Sequence, residues 1–91
     1  MEGVHRVVVR IANKKGLHAR ASAKIVEAAA RFRSRIMIAK DGQAVDARSI
    51  MGLMMLAASE GSEIAIEAEG PDAVAALAAI VALAQAKFGE E

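Results

Sequence analysis

Residues 63–88, EIAIEAEGPDAVAALAAIVALAQAKF, change their period in mid-course, and that change decides the fold. From Glu63 to Glu69 the residues alternate, with Ile64, Ile66 and Ala68 on one side and Glu63, Glu67 and Glu69 on the other. This is the pattern of a strand with one covered and one wet face. Gly70-Pro71-Asp72 then breaks the chain and opens a helix, along which Val74, Leu77, Val81, Ala84 and Phe88 recur at spacings of three and four. Two apolar heptads fall short of the roughly 3 or more that a coiled coil needs, so the stripe reads as core. A half-wet strand followed by such a helix calls for a sheet covered by helices on one side.

The rest of the chain repeats this grammar. His5 to Ile11 alternates, with Val7, Val9 and Ile11 opposite Arg6, Val8 and Arg10. Ala19 to Arg33 is Ala-rich and sets Ser22, Ile25, Val26, Ala29 and Phe32 on one helical stripe. Arg35 to Lys40 and Gln43 to Ala47 are strands joined by Asp41-Gly42, a strong two-residue hairpin signal. Ser49 is a favoured helix N-cap ahead of Ile50-Met51-Gly52-Leu53-Met54-Met55-Leu56, a helix expected to stop near Gly61. The order is β-α-β-β-α-β-α. It predicts an α+β fold, an open-faced two-layer sandwich with a four-stranded antiparallel sheet covered on one face by three helices.

A chain of 91 residues supports one core, so residues 1–91 are read as a single domain. Hydrophobic residues make up 55% of it, yet the only aromatics are Phe32 and Phe88, leaving almost no surface for stacking bases. The 12 basic and 11 acidic residues nearly cancel and are scattered, which argues against nucleic acid as a partner. With no cysteine there is neither a disulfide framework nor a thiolate metal site. A small fold held without staples suits a reducing cytosol, and the first residues, MEGVHRVVVR, lack a signal-peptide pattern. The longest apolar run, Ala73 to Ala84, is shorter than the ~18 residues of a membrane span. A cytoplasmic protein is expected.

One residue stands out chemically. His18 directly precedes the first helix in Gly16-Leu17-His18-Ala19-Arg20-Ala21-Ser22, with Gly16 to turn the loop ahead of it. Unpaired amides and the helix dipole at that place favour anions and disfavour cations. They leave an imidazole free to act as a nucleophile, and the backbone N–H groups of Ala19 and Arg20 would hold a phosphate attached to it. The Arg20 side chain adds a forked donor for phosphate oxygens. His5 has no carboxylate or second histidine spaced to make it a ligand; it is read as structural, and no metal site is expected. The second helix is apolar nearly all round. With Leu53 and Leu56 inward, some of Ile50, Met51, Met54 and Met55 must face solvent, where methionine makes an adaptable partner surface.

Two motifs carry a resemblance. GLHAR, residues 16–20, followed by a helix of small residues, resembles the active-site signature of the HPr family of the phosphoenolpyruvate-dependent phosphotransferase system. RSIMGLM, residues 48–54, resembles the family's second signature around a regulatory serine, and order and spacing agree across nearly the whole chain. The resemblance implies a stoichiometric carrier without a cofactor: His18 takes a phosphoryl group at Nδ1 from an Enzyme I-type donor and passes it to an EIIA-type acceptor. It implies that Leu17, Ile50, Met51 and Met54 ring the site and dock both partners; basic Arg20 and Lys24 are expected to flank that patch and steer it toward acidic partners. It also implies that Ser49 is the target of an ATP-dependent HPr kinase/phosphorylase, and that the carrier works as a monomer. One departure is Ala21, where many members have proline; alanine fits a first helical turn, but at this place it resembles variants of the regulatory, nitrogen-related branch as well as of sugar uptake. The competing readings are a ferredoxin-like regulatory or nucleic-acid-binding module and an assembly domain using its Met-rich helix for association, neither of which gives His18 a role.

Overall fold

The computed structural model describes residues 3–90. Four strands, β1 (His5–Arg10), β2 (Arg35–Lys40), β3 (Gln43–Asp46) and β4 (Glu63–Glu69), form one antiparallel sheet in the order β1-β4-β2-β3. Three helices, α1 (Ala19–Ala29), α2 (Ile50–Met55) and α3 (Ala73–Gln85), cover one face, and a single 3₁₀ turn follows at Lys87–Gly89. This is the α+β open-faced sandwich expected from the alternation.

Register follows the pattern of apolar residues. Val7 lies opposite Ile66, Val9 opposite Ile64 and Ile36 opposite Ala68, so each pair points to the helix side. Ile36, Ile64, Ile66 and Ala68 form the buried core with Ile25, Leu53 and Ile80 from the three helices, Val7 and Val9 packing half-buried against it; each fully buried isoleucine or leucine contributes about 1.5–3 kcal/mol by leaving water. The other face carries ion pairs, Arg6 with Glu67 at 3.4 Å and Arg10 with Glu63 at 3.7 Å, which contribute little at that exposure. At the β2–β3 turn both Asp41 (φ 53) and Gly42 (φ 80) are left-handed, the geometry of the tight hairpin that Asp-Gly signals.

Two helices end earlier than expected because backbone groups found partners elsewhere, and a third presents a different face. α1 ends at Ala29 instead of Arg33: the amides of Arg33 and Ser34 bond the Asp72 carboxylate, and the Arg48 guanidinium takes the carbonyls of Ala29, Phe32 and Ser34. The Ser34 hydroxyl and then the Arg33 amide hold the Asp72 carboxyl below the usual carboxylate range. α2 ends at Met55, well before Gly61. Ala57 turns left-handed (φ 52), and the backbone beyond it serves the opposite loop, with Leu17 N–H donating to Ala58 O and Gly61 N–H to Ile11 O. α3 is rotated from its expected stripe: Ala73, Ala76, Ile80 and Ala84 face the core, while Val74 is 65% exposed.

Candidate functional site

The loop from β1 to α1 is pinned before the histidine is reached. Gly16 has φ +63, and a Cβ there would meet Ala58 O at 2.1 Å, so the close passage of the two loops requires glycine. The buried side chain of Asn13 spans the loop, its Nδ2 donating to Gly16 O at 2.8 Å. His18 then caps α1. Its backbone is extended (φ −75, ψ −178), its carbonyl accepts from Ser22 N–H at 2.9 Å, and its ring Nδ1 accepts from Arg20 N–H at 3.3 Å. The Arg20 amide of the first turn therefore faces Nδ1, the nitrogen expected to take the phosphoryl group.

The other ring nitrogen has a partner that no local pattern announced. Nε2 meets the carboxylate of Glu90, whose second oxygen accepts from Asn13 Nδ2 at 3.0 Å. The His18 hydrogen bond, and then that of Asn13, holds the Glu90 carboxyl below its ordinary value, so it is charged at neutral pH. The last described residues fold back to deliver it. Phe88 is a core residue, and Lys24 Nζ donates to its carbonyl. Lys87 (φ 55) and Phe88 (φ 54) are both left-handed, at a cost of about 1–2 kcal/mol each, which the ~1.5–3 kcal/mol from burying Phe88 roughly offsets. Polar contacts at Lys24, Asn13 and His18 then decide where the tail lies. The cleft they close is lined by Lys14, Lys15, His18, Ala19, Arg20 and Glu90, three fixed cations against one carboxylate.

Beside it stands α2. Ser49 caps this helix, its Oγ accepting from Gly52 N–H at 2.9 Å, with Leu53 and Leu56 buried beneath. Ile50, Met51, Met54 and Met55 are all exposed, Met51 at 73% and Met55 at 67%. Met54 lines a shallow cleft together with His18 and Lys15, so the apolar patch runs up to the imidazole.

Two residues lie elsewhere than expected. Leu17 is only 5% exposed and belongs to the core, because the pinned loop turns it beneath the helix start, so that it lines that shallow cleft from below rather than standing out beside α2. Lys24 is half-buried, with its ammonium committed to Phe88 O rather than free beside the patch. Asn13, Lys14, Lys15 and Glu90 were not legible as site residues. Only the apolar spacing that reached Phe88 hinted that the end of the chain packs inward.

A helix start that faces an imidazole nitrogen, with cations around it and a methionine patch alongside, has the chemistry suited to taking up a phosphoryl group and meeting other proteins. A family model described as the PTS HPr component phosphorylation site matches residues 6–86. The phosphocarrier protein HPr of Treponema pallidum is 55% identical over 83 residues, covering 91% of this chain and 94% of its own. The phosphocarrier protein NPr of Klebsiella oxytoca is 40% identical over 84 residues, covering 91% of this chain and 93% of that one. Among solved structures, HPr-C-His from Thermoanaerobacter tengcongensis superposes with a TM-score of 0.92 at 46% identity, over 96% of this chain and 98% of that one. Fold and site thus define a phosphocarrier, a protein that conveys a phosphoryl group between others and is not itself an enzyme. The chain belongs to the HPr family of the phosphotransferase system, whose partners are Enzyme I and EIIA-type proteins.

Proposed function

We propose that His18 is the residue that carries the phosphoryl group, bonded through Nδ1 as a covalent phosphohistidine. The observation that carries this reading is the position of Nδ1 against the Arg20 amide in the first turn of α1, inside a cleft lined by Lys14, Lys15 and Arg20. The Nδ1 lone pair attacks phosphorus as the bond to phosphorylated Enzyme I breaks, and the pair returns to Nδ1 when an EIIA-type acceptor attacks in turn. The Arg20 amide that now donates to Nδ1 is released by that bond and can turn to a phosphoryl oxygen, joined by the amide of Ala19 and the Arg20 guanidinium.

Partners dock on Ile50, Met51 and Met54, whose exposed apolar surface adjoins the imidazole. Ser49 is the cap of that helix and also the site at which an HPr kinase/phosphorylase would act. A phosphate there keeps the helix-start hydrogen bonds but sets roughly −2 charge beside a surface that must be desolvated. The protein works as a monomer in the cytosol. Ala21, buried in the first turn of α1, and the NPr relatives favour a second reading, service in the regulatory rather than the sugar-uptake branch.

Incubation with phosphoenolpyruvate and Enzyme I tests the carrier. One acid-labile phosphate per chain on His18 is expected; a chain left unlabelled by a competent Enzyme I would refute the assignment.

A further inference from the structure

We propose that Glu90 is the positioning residue of this site: its carboxylate keeps the imidazole proton on Nε2, leaving Nδ1 as the nucleophile, while the phosphoryl group arrives and departs. The proposal rests on the carrier reading above.

The two ring nitrogens face opposite partners. Nδ1 points at an N–H, that of Arg20, and can meet it only as an unprotonated acceptor. Nε2 points at a carboxylate, which when ionised can only accept, so the hydrogen of a neutral ring must be on Nε2. Both contacts enforce the same tautomer. The carboxylate sits on the nitrogen away from the reacting one and leaves the approach to Nδ1 open.

Glu90 is held there by more than its partner. Asn13 fixes its other oxygen, Phe88 anchors the preceding backbone in the core, and Lys24 ties the Phe88 carbonyl to α1. Among the described residues, the other charges lining the cleft are cationic, Lys14 and Lys15 from the loop after β1 and Arg20 from α1. Among those residues Glu90 is the one carboxylate lining the cleft, the group placed to accept from the ring N–H.

This matters in both directions of transfer. When the Nδ1 lone pair bonds to phosphorus and the donor departs with the electrons of its own bond, the ring becomes a cation carrying phosphorus on Nδ1 and hydrogen on Nε2. Glu90 neutralises that charge. When an acceptor attacks phosphorus, the electrons of the P–N bond return to Nδ1 and the leaving group is a neutral imidazole. Were Nε2 to lose its proton first, the leaving group would be an imidazolate, a far stronger base and a poorer leaving group.

The test compares the full-length chain with Glu90→Gln and Glu90→Ala. Ring ¹⁵N spectra of His18 above neutral pH report the tautomer, and donation from the phosphorylated protein to an EIIA-type acceptor is timed between about pH 6 and 9. The parent should show one tautomer, with hydrogen on Nε2. Glu90→Ala should show a mixture and donate about tenfold more slowly, with the deficit widening toward alkaline pH. Glu90→Gln, which keeps an acceptor but not the charge, should retain much of the tautomer and fall between the two in rate. A role confined to folding would lower the melting temperature and slow transfer equally at every pH. That outcome, or a Glu90→Ala protein with the parent's tautomer and rates, overturns the proposal. If the parent takes no phosphoryl group, it is the carrier reading that fails, and the ring spectra alone then decide what Glu90 does.

Discussion

At the start of α1 the cap is an imidazole nitrogen accepting from Arg20 N–H; at the start of α2 it is a hydroxyl accepting from Gly52 N–H. Both caps have extended backbones, and both satisfy amides that a helix leaves unpaired. Their surroundings differ. Lys14, Lys15, Arg20 and Glu90 encircle the first, whereas Ile50 and Met51 stand directly beyond the second. On the proposed reading, the same backbone device serves a nucleophile where its neighbours are charged, and a cap beside an apolar docking surface where they are not. An amide-rich helix start supplies a place for an anion; side chains decide what is done with it.

The comparison breaks most sharply at His18. His18→Ala should abolish phosphate uptake from Enzyme I while leaving the circular dichroism spectrum of the parent, since the ring is at the surface and its loop is held by Gly16 and Asn13. Uptake by His18→Ala at the parent's level would make the α1 cap no more special than that of α2. Next in size is Arg20→Ala, expected to slow transfer by roughly ten- to a hundredfold with melting temperature unchanged, because the side chain is exposed yet lines the cleft. Lower stability with unaltered transfer would make Arg20 a structural residue.

Substitution at the other cap should act on encounter rather than on chemistry. Ser49→Asp retains a good N-cap, so stability should equal or exceed the parent's. Affinity for Enzyme I should drop by roughly tenfold, seen as slower transfer at sub-saturating donor and parental transfer at saturation. Parental affinity in that variant would separate Ser49 from docking altogether. Ser49→Ala should have the smallest effect, a loss of about 1 kcal/mol in denaturant unfolding with phosphoryl transfer intact.

What the sequence disclosed, and what it hid, follows the range of the interactions involved. The β2–β3 hairpin was legible to the residue in its first strand and its turn, because Asp41-Gly42 acts over a few bonds. The Ser49 cap was legible for the same reason. The rotation of α3 was not, since a helix made almost wholly of Ala, Val, Leu and Ile offers little contrast between faces, and small alanines at 73 and 76 let the sheet approach more closely than Val74 would. The burial of Leu17 and the arrival of Glu90 were hidden too. Each depends on contacts between segments distant in sequence, Leu17 N–H with Ala58 O and Glu90 with Asn13 and His18.

The strand order carries a consequence for how the molecule comes into being. β1, made first, finds its partner only in β4, near the other end, and β2 joins the sheet through β4 as well; only the β2–β3 hairpin is local. Loop closure across most of the chain must therefore precede the assembly of the sheet, a topology that slows folding relative to one built from neighbours. The loop that presents His18 is fastened to Ala58, and Glu90 arrives later still. On the ribosome, a chain whose β4 has not yet emerged has a histidine but, on the proposed reading, no site, so competence to receive a phosphoryl group should appear only after β4 and Glu90 have left the exit tunnel.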